Sequence, residues 1–118
     1  MSQNSPTIAG IRKAVETRDA ESLKALYAAN AIVTIIDTDN PPSKPRTIKG
    51  AKEIGCFLDD VYGRDMKHTL EHGVVDGKHL AYVEGCSYPD GTHVIASTMA
   101  ELGPHGIVNQ TIVQAWDN

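Results

Sequence analysis

Cysteine is scarce in this chain, with Cys56 and Cys86 its only two. Two thiols cannot frame a disulfide scaffold. With no basic-then-apolar leader at Met1–Pro6, they are expected to be buried thiols in a reducing, cytoplasmic setting. Long apolar runs are missing too. None approaches the roughly 20 residues that a membrane span needs, so no membrane partner is expected. An excess of positive charge is also lacking. The formal charge is -4, which repels phosphate backbones and makes nucleic acid an unexpected partner. There is no internal repeat and no low-complexity tract. What is present is ordinary for a packed domain: 41% apolar and 22% charged residues in 118, enough for one core and too little for two. A single domain is expected over 1–118, with 1–5 as a disordered tail.

The first half reads as helical. Ser5 and Pro6 suit an N-cap and a first turn, and Ile8, Ile11, Ala14 and Val15 then recur at helical spacing. Asp19 caps a second expected helix, with Ser22 three residues on; Leu23, Leu26 and Tyr27 form its buried stripe and Asn30 its stop. Residues 31–36 (Ala-Ile-Val-Thr-Ile-Ile) are β-branched and read as a strand. The following nine residues hold three prolines and can only be a stiff loop. Gly50 leads into a third helix, with Ile54, Phe57, Leu58 and Val61 on one side and an end near Gly63. The Tyr62-Gly63-Arg64-Asp65 stretch reads as that end and a turn.

The second half changes period. Segments 66–75, 80–88, 92–102 and 107–116 alternate or run β-branched. Between them stand Asp76-Gly77, Pro89-Asp90-Gly91 and Gly103-Pro104-His105-Gly106, which are hairpin signals because glycine supplies positive φ. Four strands joined by short turns make an antiparallel meander. The expected class is α+β, three helices on one face of a strongly curved, mostly antiparallel sheet. A sheet bent around helices leaves an internal pocket.

In order and spacing the chain resembles the nuclear-transport-factor-2-like superfamily, in its SnoaL-like branch. The resemblance rests on Arg18-Asp19 through Leu23, Leu26-Tyr27 and Ala31, on Gly50 followed by Ile54, on Tyr88-Pro89-Asp90-Gly91, and on Gly106-Ile107-Val108 through Gln114-Ala115-Trp116-Asp117. It spans about Ile8 to Asp117. The resemblance implies a cone-shaped, cystatin-like α+β fold, a mostly apolar pocket and a homodimer through the outer sheet face. The superfamily hosts isomerases, dehydratases, cyclases, hydrolases and members without chemistry, so fold alone does not fix function.

Candidate acid–base residues are His68, Glu84 and Asp37. His68 and His72 are expected on one strand face with Leu70 and Val74, since strand side chains alternate. In the resembling dehydratases a histidine near the place of His68 holds a reacting water. Glu84 sits mid-strand with Tyr82 and Cys86 on its face, and a central carboxyl facing a pocket can serve as base or acid. Facing solvent, it would be inert. Asp37, or Asp39 two residues on, lies where the resembling steroid isomerases keep a base; both also suit turn capping. That isomerase mechanism meets two mismatches: its first-helix tyrosine falls on Ile11, and no meander strand has an interior Asp. The epoxide-hydrolase Arg–Asp arrangement is missing as well.

Tyr27, Phe57, Tyr82, His93 and Trp116 are candidate ligand contacts, with core packing, or for His93 an edge position, as the plainer reading. His79 and His105 fall in turns. Cys86 reads as an inert buried thiol. No metal site is expected, because His68 and His72 would stand about 13 Å apart along a strand. No cofactor is expected. The functional expectation is a pocket for a small apolar oxygenated compound, with acid–base chemistry of isomerase, dehydratase, cyclase or hydrolase type. The alternative is a noncatalytic ligand-binding or dimerisation module. His68→Ala is expected to leave folding intact while weakening binding of a pocket ligand.

Overall fold

The structure, a computed structural model, describes residues 6–117. Ser5, the expected first cap, lies outside the described residues, as does the expected tail at 1–5. Helix α1 (Ile8–Glu16) starts instead at Thr7, whose hydroxyl accepts the Gly10 amide at 3.0 Å. Ile11, Ala14 and Val15 are its buried stripe. Helix α2 (Ala20–Lys24) is capped by Asp19, which accepts the Ser22 amide at 3.2 Å and the Ser22 hydroxyl at 2.6 Å.

The second helix is shorter than its pattern predicts. The Ile107 amide donates to the Leu26 carbonyl at 2.8 Å, drawing the chain into the sheet one residue later. Strand β1 (Tyr27–Ile36) therefore contains both Tyr27 and Asn30, which were expected to close the helix. A five-residue helix has little to hold it alone, so sheet pairing wins. After the proline loop a short strand, β2 (Arg46–Lys49), pairs antiparallel with β1. Its four residues carry no alternation long enough to be read beforehand. Gly50, at φ 90°, then turns the chain into α3 (Ala51–Gly63).

The meander follows as β3 (Lys67–Val75), β4 (His79–Ser87), β5 (His93–Gly103) and β6 (Gly106–Trp116). The six strands form one sheet in the order β2-β1-β6-β5-β4-β3. All neighbours are antiparallel except β1 and β6, which run parallel. The three helices precede or interrupt the sheet, with β1 and β2 inserted before α3. Ile11, Val15, Leu23, Ile54 and Leu58 from the helices share one buried cluster with Val33, Ile35, Leu70, Leu80 and Ile107. No helix is long and apolar enough to cross a membrane.

One irregularity decides what faces that core. In β3 the register slips between Leu70 and His72, leaving Glu71 as an extra residue opposite β4. Such a bulge shifts the alternation by one. His68 and Leu70 point inward before it, whereas His72 and Val74 are exposed after it. His72 does not share the face of His68.

Candidate functional site

The inner face of β4 carries Leu80, Tyr82, Glu84 and Cys86, opposite Ala100, Thr98, Ala96 and Val94 of β5. Glu84 is 5% exposed and His68 2%. Burial of this kind demands partners. Glu84 Oε2 lies 2.7 Å from His68 Nδ1. With the carboxylate ionised, Nδ1 would carry the proton of this contact, since a carboxylate only accepts. The Tyr62 hydroxyl donates to both oxygens, at 2.9 Å to Oε1 and 3.0 Å to Oε2. The Cys86 thiol stands 3.6 Å from Oε2 and 3.4 Å from His68 Nδ1. His68 Nε2 is buried without a hydrogen-bond partner.

Oε2 is thus crowded by three groups. Oε1 receives only Tyr62 and keeps a lone pair to spare. The tyrosine proton is firmly held: burial, then the nearby Glu84 charge, pushes the Tyr62 pKa well above the ordinary phenol range. Burial likewise pushes the Cys86 thiol up to about 12, with Glu84 adding to it. Cys86 is therefore a protonated thiol and a poor nucleophile at neutral pH.

A cavity of about 70 Å³ lies against this cluster, walled by Glu84, Tyr62 and Cys86 together with Tyr27, Phe57, Tyr82 and Trp116. The Tyr27 hydroxyl donates to Gln110 Oε1 at 2.5 Å, and Gln110 Nε2 donates to Thr98 Oγ1 at 2.7 Å. All three residues border the same cavity. Tyr88 and Trp116 stack at 5.8 Å between centroids.

The predicted residues separate into three groups. Glu84, Tyr27, Phe57, Tyr82 and Trp116 are brought together around the cavity. His68 touches Glu84 from behind and is not in the cavity wall. Asp37 and His93 lie elsewhere. Asp37 Oδ1 accepts the Asp39 and Asn40 amides, each at 2.9 Å, and so closes the turn after β1. His93 is exposed on the outer face, 3.4 Å from Asp117. It opens β5 one position out of phase with Val94, which points in.

Tyr62 was not singled out by the sequence, although a signal existed. Ile54, Leu58 and Tyr62 are spaced four apart, so the last stands on the buried face of α3. The expectation that His68→Ala leaves folding intact takes no account of how enclosed this side chain is. Its side chain is fully buried, so truncation is expected to leave a void and to remove one of the groups that hold Glu84.

No protein-family profile matches the chain, and no curated protein matches it. Solved structures do. An NTF2-like protein of unknown function from Mesorhizobium loti superposes with TM-score 0.74 at 14% identity, covering 94% of this chain and 97% of that one. The chain has the NTF2-like fold. A second NTF2-like protein, from Burkholderia xenovorans LB400, gives TM-score 0.73 at 15% identity over 94% of this chain and 80% of its own. A protein with a cystatin-like fold from Silicibacter pomeroyi DSS-3 gives 0.70 at 20% identity, covering 93% and 74%. Identities this low speak for the NTF2-like backbone and leave its chemistry to the site.

Proposed function

We propose that this NTF2-like domain binds a small, mostly apolar, oxygen-bearing molecule in the cavity between α3 and the sheet, and that Glu84 exchanges a proton with it. The observation that carries this reading is the carboxylate of Glu84 in an otherwise largely apolar and aromatic wall, with Oε1 accepting from Tyr62 alone. Tyr62 and His68 are positioning residues. They fix the carboxylate in the cavity wall. Tyr27 and Gln110 supply a second polar contact farther along. A base held this way suits isomerase, dehydratase, cyclase or hydrolase chemistry on a substrate with an acidic C–H or O–H bond.

A thermal-shift screen with small lactones, steroids and aromatic polyketides is the direct test, because a molecule bound only by the folded state raises the melting temperature. For a compound that raises it, Glu84→Gln is expected to weaken binding by about 10- to 100-fold, the worth of one charge-assisted hydrogen bond. The same variant is expected to abolish deuterium uptake into the compound from heavy water. Full retention of affinity in Glu84→Gln would make the cluster a structural network and leave a noncatalytic domain.

We also infer that the outer sheet face pairs two copies of the chain. Val74, Ile95, Met99 and Val113 are 65%, 42%, 62% and 46% exposed there, a dense set of apolar side chains for a free surface. Met99→Asp combined with Val113→Asp is expected to convert a dimer to a monomer in sedimentation velocity. A wild-type chain that sediments as a monomer at tens of micromolar would refute the pairing.

A further inference from the structure

The cluster around Glu84 also brings together three different metal-ligand atoms. His68 Nδ1, a Glu84 oxygen and Cys86 Sγ lie within 4.8 Å of one another, all in buried residues. The topology makes this happen. His68 and Cys86 are directly paired across β3 and β4, and Glu84 is the next inward residue along β4. The N–O, N–S and O–S separations are 2.7, 3.4 and 3.6 Å. Tetrahedral Zn²⁺, with bonds of about 2.1 Å to nitrogen and oxygen and about 2.3 Å to sulfur, needs ligand atoms roughly 3.4, 3.6 and 3.6 Å apart. The two sulfur distances already agree. The third has to open by roughly 0.7 Å as a hydrogen bond is replaced by two bonds to one ion.

The charges also fit. A neutral imidazole, a carboxylate, a thiolate and a dication sum to zero, which a buried site favours. Tyr62 already holds the carboxylate, as outer-shell partners of metal ligands do. Glu84 and Cys86 border the cavity, which gives an ion its way in and leaves a fourth position open toward a guest.

We propose that His68 Nδ1, Glu84 and Cys86 form a binding site for a zinc-class dication, and that the bound ion switches Glu84 off as a proton acceptor. On binding, the S–H bond of Cys86 breaks. Its electron pair forms the sulfur–metal bond and its proton passes to solvent. His68 shifts its own proton from Nδ1 to Nε2, and the Nδ1 lone pair takes the metal. Only the second half of this proposal rests on the acid–base reading of Glu84.

Co²⁺ is the probe, added to the chelator-treated 118-residue chain. One equivalent is expected to produce a near-ultraviolet thiolate-to-cobalt absorption band. Cys56→Ser, at an exposed thiol on α3, is expected to keep that band, and Cys86→Ser to abolish it. Should Cys86→Ser fail to fold, Glu84→Gln serves instead, with cobalt affinity expected to fall more than 10-fold, since even outer-shell partners are worth about 10- to 100-fold. Absence of the band in wild type, its survival in Cys86→Ser, or unchanged affinity in Glu84→Gln overturns the site. Zn²⁺ is then expected to suppress the wild-type thermal shift of a bound guest. A guest shift untouched by saturating Zn²⁺ overturns the switch and leaves the metal site standing. Proton exchange that never occurs in chelator overturns the acid–base reading instead.

Discussion

Glu84→Ala is expected to destabilise the fold by about 3–5 kcal/mol, because it strips a buried partner from His68 and Tyr62 at once. His68→Ala is expected to cost a similar amount, roughly 2–5 kcal/mol, from the void and from the carboxylate left with Tyr62 as its main partner. The pair lies 2.7 Å apart with side chains 0% and 7% exposed, so neither group can turn to water for a substitute. Removing the whole polar set has a different outcome. A triple variant carrying Tyr62→Phe, His68→Leu and Glu84→Leu roughly keeps the volume and leaves only the weak Cys86 thiol without a partner. It is expected to stand within about 2 kcal/mol of wild type, since buried ion pairs are often replaceable by apolar groups of the same shape. Urea unfolding of the single and triple variants measures this directly. Additive losses across the three sites would mean that the groups do not act as a unit. The triple variant is also expected to bind no guest through a charged contact. A polar cluster kept where an apolar one would serve the fold equally well is how function presses against stability.

The second large effect is expected at Gly106. This glycine opens β6 at φ 117°, a region closed to L side chains. A methyl group there would stand 2.4 Å from the Leu26 carbonyl oxygen and 3.1 Å from its carbon. Both obstacles are backbone and cannot rotate away. Gly106→Ala is expected to cost at least about 3 kcal/mol, strain and clash together. It should also loosen the Ile107–Leu26 hydrogen bond that sets where β1 begins. The urea midpoint reads the first effect. Amide exchange at Ile107 reads the second. A midpoint within experimental error of wild type would show that the Leu26–Ala28 segment is free to move.

The meander was legible from its glycine-bearing turns, and Gly91 and Gly106 do take positive φ, whereas Gly77 in the first turn does not. The caps at Asp19 and Gly50 were legible for similar local reasons. Long-range pairing was not. Tyr27 looked helical because Leu23, Leu26 and Tyr27 share a helical face, and only contact with Ile107, far along the chain, pulls it into a strand. The bulge at Glu71 left no mark in the pattern either. Strict alternation put His72 beside His68, whereas one extra residue separates them. Glu84 could be placed on a face shared with Tyr82 and Cys86, but which face was inner depended on the sheet. Tyr62 was passed over because the turn chemistry after it masked a four-residue spacing before it.

The parallel contact between β1 and β6 has a consequence for biosynthesis. The Tyr27–Gln110 hydrogen bond joins residues 83 apart, and every β1–β6 pair spans a similar stretch. On the ribosome, β1 emerges early and has β2 for its only sheet neighbour until nearly the whole domain has been made. Its open edge, including Ile32–Ile36, is apolar and β-branched, the kind of segment that recruits stray strands. The nascent chain therefore depends on β6 arriving to seal this edge, and a stall or truncation after Gly103 would release an aggregation-prone product rather than a smaller working domain.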